Sequence, residues 1–196
     1  MEHQLNIDLQ RVFGEAYRQF SEVQPDVDEE TAVQELLDFV LQRMKGVLAE
    51  QKFSYDVIDS VMAKTTGYLQ DIYTRAQVVQ ELKKSPQFED LMVVFNRSHN
   101  LSKKWEQTTV QTGVLEDDSE KELYQQLAAV RSRLTDPIDY QELIKDLTGL
   151  RPYLDRFFEA VMVMVENEKL KENRLSLLRS IAVLCQQVAD FSKIVQ

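Results

Sequence analysis

The stretch EKLKENRLSLLRSIAVLCQQVADFSKIV, Glu168–Val195, decides the fold. Leu175, Leu178, Ile181, Ala182, Cys185, Val188 and Ala189 recur at intervals of three and four, which puts them on one side of an α-helix. The spacing predicts one helix from about Glu168 to Val195. Upstream, Pro152 opens a helix that runs to about Val165, and Asp136-Pro137 precedes another that ends near Gly149. Ser119–Leu134 is helical, whereas Glu106–Asp118 loses its periodicity and reads as a mobile loop over 106–118. Ser85-Pro86, a capping serine and a first-turn proline followed by Glu89 and Asp90, starts a helix that reaches about Lys104.

Towards the N-terminus the same pattern holds. Helices are expected over Tyr68–Lys83, over a short segment capped by Ser54 with Tyr55, Val57, Ile58 and Val61, and over Asp28–Gln51. The apolar stripe of the last is Val33, Leu36, Leu37, Val40, Met44, Val47 and Leu48. An acidic loop surrounds Pro25, and a first helix covers Leu5–Phe20 with Leu5, Leu9, Val12, Phe13, Ala16, Tyr17 and Phe20. Only 5 Gly and 4 Pro occur among 196 residues, too little punctuation for a strand-rich fold. The class expected is all-α, a multi-helix bundle of seven to eight helices forming a single domain over 1–196.

Composition limits the function. No run approaches a membrane span, no signal-peptide pattern opens the chain, and the lone Cys185 suits a buried thiol in a reducing compartment, so a cytoplasmic protein is expected. The histidines are His3 and His99. Neither belongs to a zinc-type spacing, and there is no Gly-rich phosphate loop or nucleophile elbow. Acid pairs such as Asp117-Asp118 read as solvated surface. No catalytic residue, metal or cofactor is expected. The net charge of −10 and pI near 4.8 mean that any nucleic-acid role has to come from a local patch, because phosphate neutralisation dominates such binding.

One segment has that balance: Asn96-Arg97-Ser98-His99-Asn100-Leu101-Ser102-Lys103-Lys104-Trp105, which contains no acid. On a helix, Leu91, Val94, Phe95, Leu101 and Trp105 fall on one side. Asn96, Arg97, Asn100, Lys103 and Lys104 fall within an arc of ~120° on the other. Such a face suits RNA, with cations for phosphates and Asn or Arg for base edges; an ordinary solvated helix end carrying lysines at its C-terminus gives the same pattern. Trp105 sits at a core angle, so packing is preferred over stacking on a base. Met162 and Met164 read as core filler. Arg156, Asn173, Arg174 and Arg179 suggest a second basic strip, but Asp155, Glu159, Glu166, Glu168 and Glu172 among them favour intramolecular pairs.

Several phrases resemble a known family. Phe157-Phe158-Glu159 with Val161-Met162-Val163-Met164, then Asn173-Arg174-Leu175 with Leu177-Leu178, closely resemble the end of the β subunit of bacterial two-subunit glycyl-tRNA synthetases. Phe53–Val61 looks like that family's Phe-x-Tyr-Asp-Val-Ile-Asp-Ala-Val, and Phe95–Leu101 resembles its Phe-Lys-Arg-Val-x-Asn-Ile. The likeness runs in order from about Leu36 to Val195. Asn96 stands where the family has lysine, and Ser98-His99 replaces a more apolar pair. The resemblance implies a helical anticodon-binding domain of the arginyl-tRNA-synthetase type, excised from a longer β subunit or standing alone. Its partners would be glycine tRNA, through the anticodon arm, the remainder of the β subunit and the catalytic α subunit. On that reading Arg97 and Asn100 serve base edges while Lys103 and Lys104 hold phosphates. An anticodon cytosine also requires an acceptor beside the Arg donor, from Asp56 or a backbone group. The competing expectation is an acidic helical protein-interaction domain that binds no RNA.

Overall fold

Short acidic and amide side chains start most of the helices. In the computed structural model, which describes residues 7–20, 26–64 and 67–195, Asp8 accepts the Arg11 N–H and opens α1 (Leu9–Gln19). Asp28 accepts from Thr31 at the start of α2 (Glu29–Glu50). Asp117 opens α6 (Asp118–Arg133), Asp139 opens α7 (Tyr140–Thr148) and Asn167 opens α9 (Glu168–Val188). Each satisfies backbone donors that the first helical turn leaves free. The remaining helices are α3 (Tyr55–Met62), α4 (Leu69–Leu82), α5 (Gln87–Ser102) and α8 (Arg151–Ala160). The all-α class is what the structure shows, with no strand among the described residues. His3, Leu5 and the Pro25 loop lie outside the described residues.

Two expected serine caps act differently. Ser54 donates to the Asp56 carboxylate at 2.7 Å, and Ser85 donates back to the Leu82 carbonyl at 2.9 Å. Two helices end earlier than their apolar runs suggest. The α8 helix stops at Ala160 because Val161 turns to extended geometry, φ −123° and ψ 126°. From there the chain alternates, with Val161 and Val163 buried and Met162 and Met164 exposed. The methionines are therefore not core filler: in a β-branched run, a period of two replaces the helical period. The α9 helix stops at Val188, where Ala189 is extended, and a single 3-10 turn over Phe191–Lys193 follows.

The chain forms two compact units, residues 1–80 with 193–196, and residues 81–192. In the first, α1 packs on α2, joined by the Arg18–Glu29 pair at 2.9 Å, and α2 packs on α3. Of the expected α2 stripe, Leu37, Met44 and Leu48 are buried, but Leu36 and Val47 are exposed. Asp56 is 2% exposed and accepts from Ser54, from its neighbour Val57 N–H and from Val195 N–H.

In the second unit α9 is the central element, packed against α5, α7 and α6. Its apolar side supplies Leu177, Leu178, Ile181, Ala182, Cys185 and Val188 to a core completed by Leu91, Phe95, Leu127, Leu147 and Phe157. Burial pushes the Cys185 thiol up to about 12, so it stays protonated and inert to thiol reagents until the unit unfolds. The polar side of α9 is buried as well. Ser176 accepts from Trp105 Nε1 at 2.9 Å, Ser180 donates to the Thr108 carbonyl, and Asn173 exchanges two hydrogen bonds with the Gln111 backbone.

Those bonds tie Trp105 and the first part of the 106–118 segment, to Gln111, along α9. Asn173→Ala removes two bonds to the Gln111 backbone and leaves the Gln111 N–H without its acceptor, while the Gln111 carbonyl keeps the Val114 N–H, a loss of about 1–3 kcal/mol locally. The expected result is faster protease cleavage and faster amide exchange around Gln111, with the core amides of α9 exchanging as before.

Candidate nucleic-acid interface

The surface of α5 is set by its buried side, which is centred on two serines as well as on leucine and phenylalanine. Ser98 donates to the Val94 carbonyl and Ser102 to the Ser98 carbonyl, both at 2.7 Å. Satisfied in this way, both hydroxyls lie fully buried. Leu101, assigned to the core side, is exposed because it sits at the edge of that arc. Trp105 is half-buried and bonded to Ser176, which agrees with packing.

The opposite side carries the expected residues. Arg97, Asn100, Lys103 and Lys104 are all exposed. Lys103 caps the C-terminus of α5 and Lys104 follows it, a position that the helix dipole favours for cations. Neither lysine has a carboxylate partner among the described residues. Arg97 differs: its Nη1 donates to Asp155 Oδ1 of α8 at 2.5 Å, and its guanidinium lies 5.5 Å from the centre of the Phe158 ring. Asp155 also lies 3.8 Å from Arg151, which pairs in turn with Asp90. Arg97 and Asp155 each keep a substantial exposed fraction, 46% and 38% of the side chain. The pair therefore presents fixed donors beside a fixed acceptor at the surface.

The second strip resolves into pairs, with one exception. Arg156 meets Glu122 at 3.0 Å and lies over Tyr153, Arg174 is buried against Glu120, and Asn173 holds Gln111. Arg179 has no such partner among the described residues. Asp56, suggested as an acceptor for a base, is buried and held by backbone donors in the first unit, so it reads nothing. The acceptor that the structure places beside Arg97 is Asp155, 58 residues away in sequence. Its helical phase relative to α5 could not be read from either segment alone.

The family model of the DALR anticodon binding domain matches residues 91–193. The chain belongs to that family. The match covers most of the second unit and contains Arg97, Asn100, Lys103 and Lys104. Across its full length the chain is 45% identical to the glycine–tRNA ligase beta subunit of Syntrophomonas wolfei, over 198 residues and 29% of that protein. It is 35% identical to the beta subunit from Desulforamulus reducens, again covering 29% of it. The Persephonella marina beta subunit is 31% identical over 208 residues, 30% of its length. The chain thus spans under a third of the relatives it matches. Among the described residues of this DALR anticodon binding domain chain, no group of three or more His, Cys, Asp or Glu is placed to hold a metal, and no helix is long and apolar enough to cross a membrane.

Proposed function

We propose that the chain recognises the anticodon arm of glycine tRNA for a two-subunit glycine–tRNA ligase of the cytoplasm. In this role it works with the remainder of the β subunit and the catalytic α subunit, and performs no chemistry itself. The observation that carries the reading is the acid-free face of α5, inside the region matched by the anticodon-binding family. Lys103 and Lys104 hold backbone phosphates as mobile point charges, and Asn100 and Arg97 reach base edges. A splayed cytosine offers an amino donor beside N3 and O2 acceptors. Asp155 takes the amino group while the outer N–H groups of Arg97 donate to the ring acceptors.

The test compares this chain's affinity for a glycine-tRNA anticodon stem-loop with that for the same RNA carrying uridine in place of an anticodon cytosine. The parent should prefer cytosine. Asp155→Asn swaps half of the acceptor for a donor and should erase most of that preference, a loss on the order of tenfold, while leaving general affinity within a few-fold. Equal binding of both RNAs by the parent would refute the cytosine reading. No RNA binding at all, including in the assembled ligase, would leave a protein-interaction domain as the better description.

A further inference from the structure

The rim where α5 meets α8 carries apolar side chains that the core does not use. Arg97 donates to Asp155 at 2.5 Å and lies 5.5 Å from the centre of the Phe158 ring; earlier on both helices, Asp90 pairs with Arg151. The two helices therefore run side by side in the same direction. Leu101 follows Arg97 by one turn, ~6 Å along the axis, on the edge that faces α8. It is 43% exposed, at the level where α8 ends at Ala160. Met162 lies four residues past the half-buried Phe158 on the extended run and is 73% exposed, while Val161 and Val163 on either side of it are buried. The α9 helix holds these two ends close together. Arg174 donates to the Met162 carbonyl, and Ser176, two residues on, accepts from Trp105, each at 2.9 Å.

We propose that Leu101 and Met162, with the open edge of Phe158, form a stacking floor for an unpaired nucleobase, next to the base that Arg97 and Asp155 read. The inference rests on the RNA-binding reading above and deepens it with a second, sequence-tolerant contact. Charge and size both choose this occupant. Arg97 and Lys104, four residues before Leu101 and three after it, are its neighbours along α5, in a chain whose net charge is −10. On the α8 side, Asp155 and the exposed Glu159 repel phosphate. The RNA backbone therefore follows the lysines, and the base turns onto the apolar side chains. Two exposed side chains and part of a ring suffice for one base. They fall far below the roughly 800 Å² per partner that a stable protein interface buries. Every base has a π-face, and the unbranched, polarisable side chain of methionine packs well against one.

The experiment measures binding of the glycine-tRNA anticodon stem-loop, intact or with one abasic site at each loop position in turn, by this 196-residue chain over a salt series. Leu101→Ala combined with Met162→Ala should weaken binding of the intact RNA roughly fivefold, the low end for loss of a stacked base. The loss should be the same at every salt, because no phosphate contact is removed. Preference for cytosine over uridine should stay as in the parent. One abasic position beside the read cytosine should cost the parent a similar factor and cost the double variant little. Phe39→Ala, which removes a 66% exposed ring from the first unit, should leave affinity unchanged. Parent-like affinity in the double variant overturns this assignment and leaves the α5 reading standing. So does an abasic loss that is equal in parent and double variant at every position, or an equal weakening by Phe39→Ala. A parent that binds no stem-loop removes both readings together.

Discussion

Replacing Lys103 and Lys104 together with alanine is expected to weaken tRNA binding on the order of twentyfold at 0.1 M salt, with little change in base preference. The magnitude follows from counterion release: each phosphate contact to single-stranded RNA contributes about 0.7 to the salt slope, hence about fivefold at that salt, and two contacts multiply. Both side chains are exposed and carry no ion pair among the described residues, so their removal breaks no contact that holds the fold. Any stability change should stay within about 0.5 kcal/mol. The measurement is affinity for a cytosine-bearing and a uridine-bearing stem-loop at several salt concentrations. Parallel losses for both RNAs, shrinking as salt rises, fit a phosphate-holding role. An undiminished salt slope would mean that the lysines serve the helix dipole alone, which is the bland reading of a basic helix end.

Why the sequence showed this face but not its neighbours comes down to the range of the interactions. Local rules act over a few residues. They placed α5 and its polar arc, together with the core side of α9, because hydrophobic period and angular position need no partner. A charge pair between segments leaves no local mark. Arg174 and Arg179 sit five residues apart on one helix with similar surroundings in sequence, yet one is sealed against Glu120 and the other has no carboxylate partner among the described residues. Asp155 and Arg97 look like two unrelated surface charges until α8 lies against α5. Likewise nothing near Ser176 and Ser180 in sequence marks them as buried; they are covered because residues 105–108 bring Trp105 and the Thr108 carbonyl to them. The early end of α8 was partly legible. Val161-Met162-Val163-Met164 alternates with a period of two, and that signal competed with a helical register carried on from Phe157 and Phe158.

The largest stability effect is expected at Arg174, which the sequence offered to a second basic strip while favouring an intramolecular pair for it. Its side chain is 8% exposed and its partner Glu120 is 0% exposed; Nε donates to Oε1 at 2.5 Å and Nη1 donates to the Met162 carbonyl at 2.9 Å. The other oxygen of Glu120 accepts the Glu116 and Asp117 N–H groups and so completes the capping box of α6. The Glu120–Arg174 pair thereby joins the start of α6, the central helix and the extended segment after α8. Arg174→Met removes the countercharge and leaves that carboxylate buried, a loss of about 3–5 kcal/mol. Protonating the acid offers incomplete relief, because the two backbone donors prefer an ionised acceptor. Glu120→Gln in the parent strands the guanidinium instead and loses the charge-assisted bond, so it too should destabilise. The double variant Glu120→Gln with Arg174→Met removes both charges and keeps an amide oxygen for the cap, so it should recover a substantial part of the loss. Denaturant midpoints of the four proteins measure this directly. Additive losses in the double variant would mean that the two side chains act independently, and the buried pair would not be what joins these three elements.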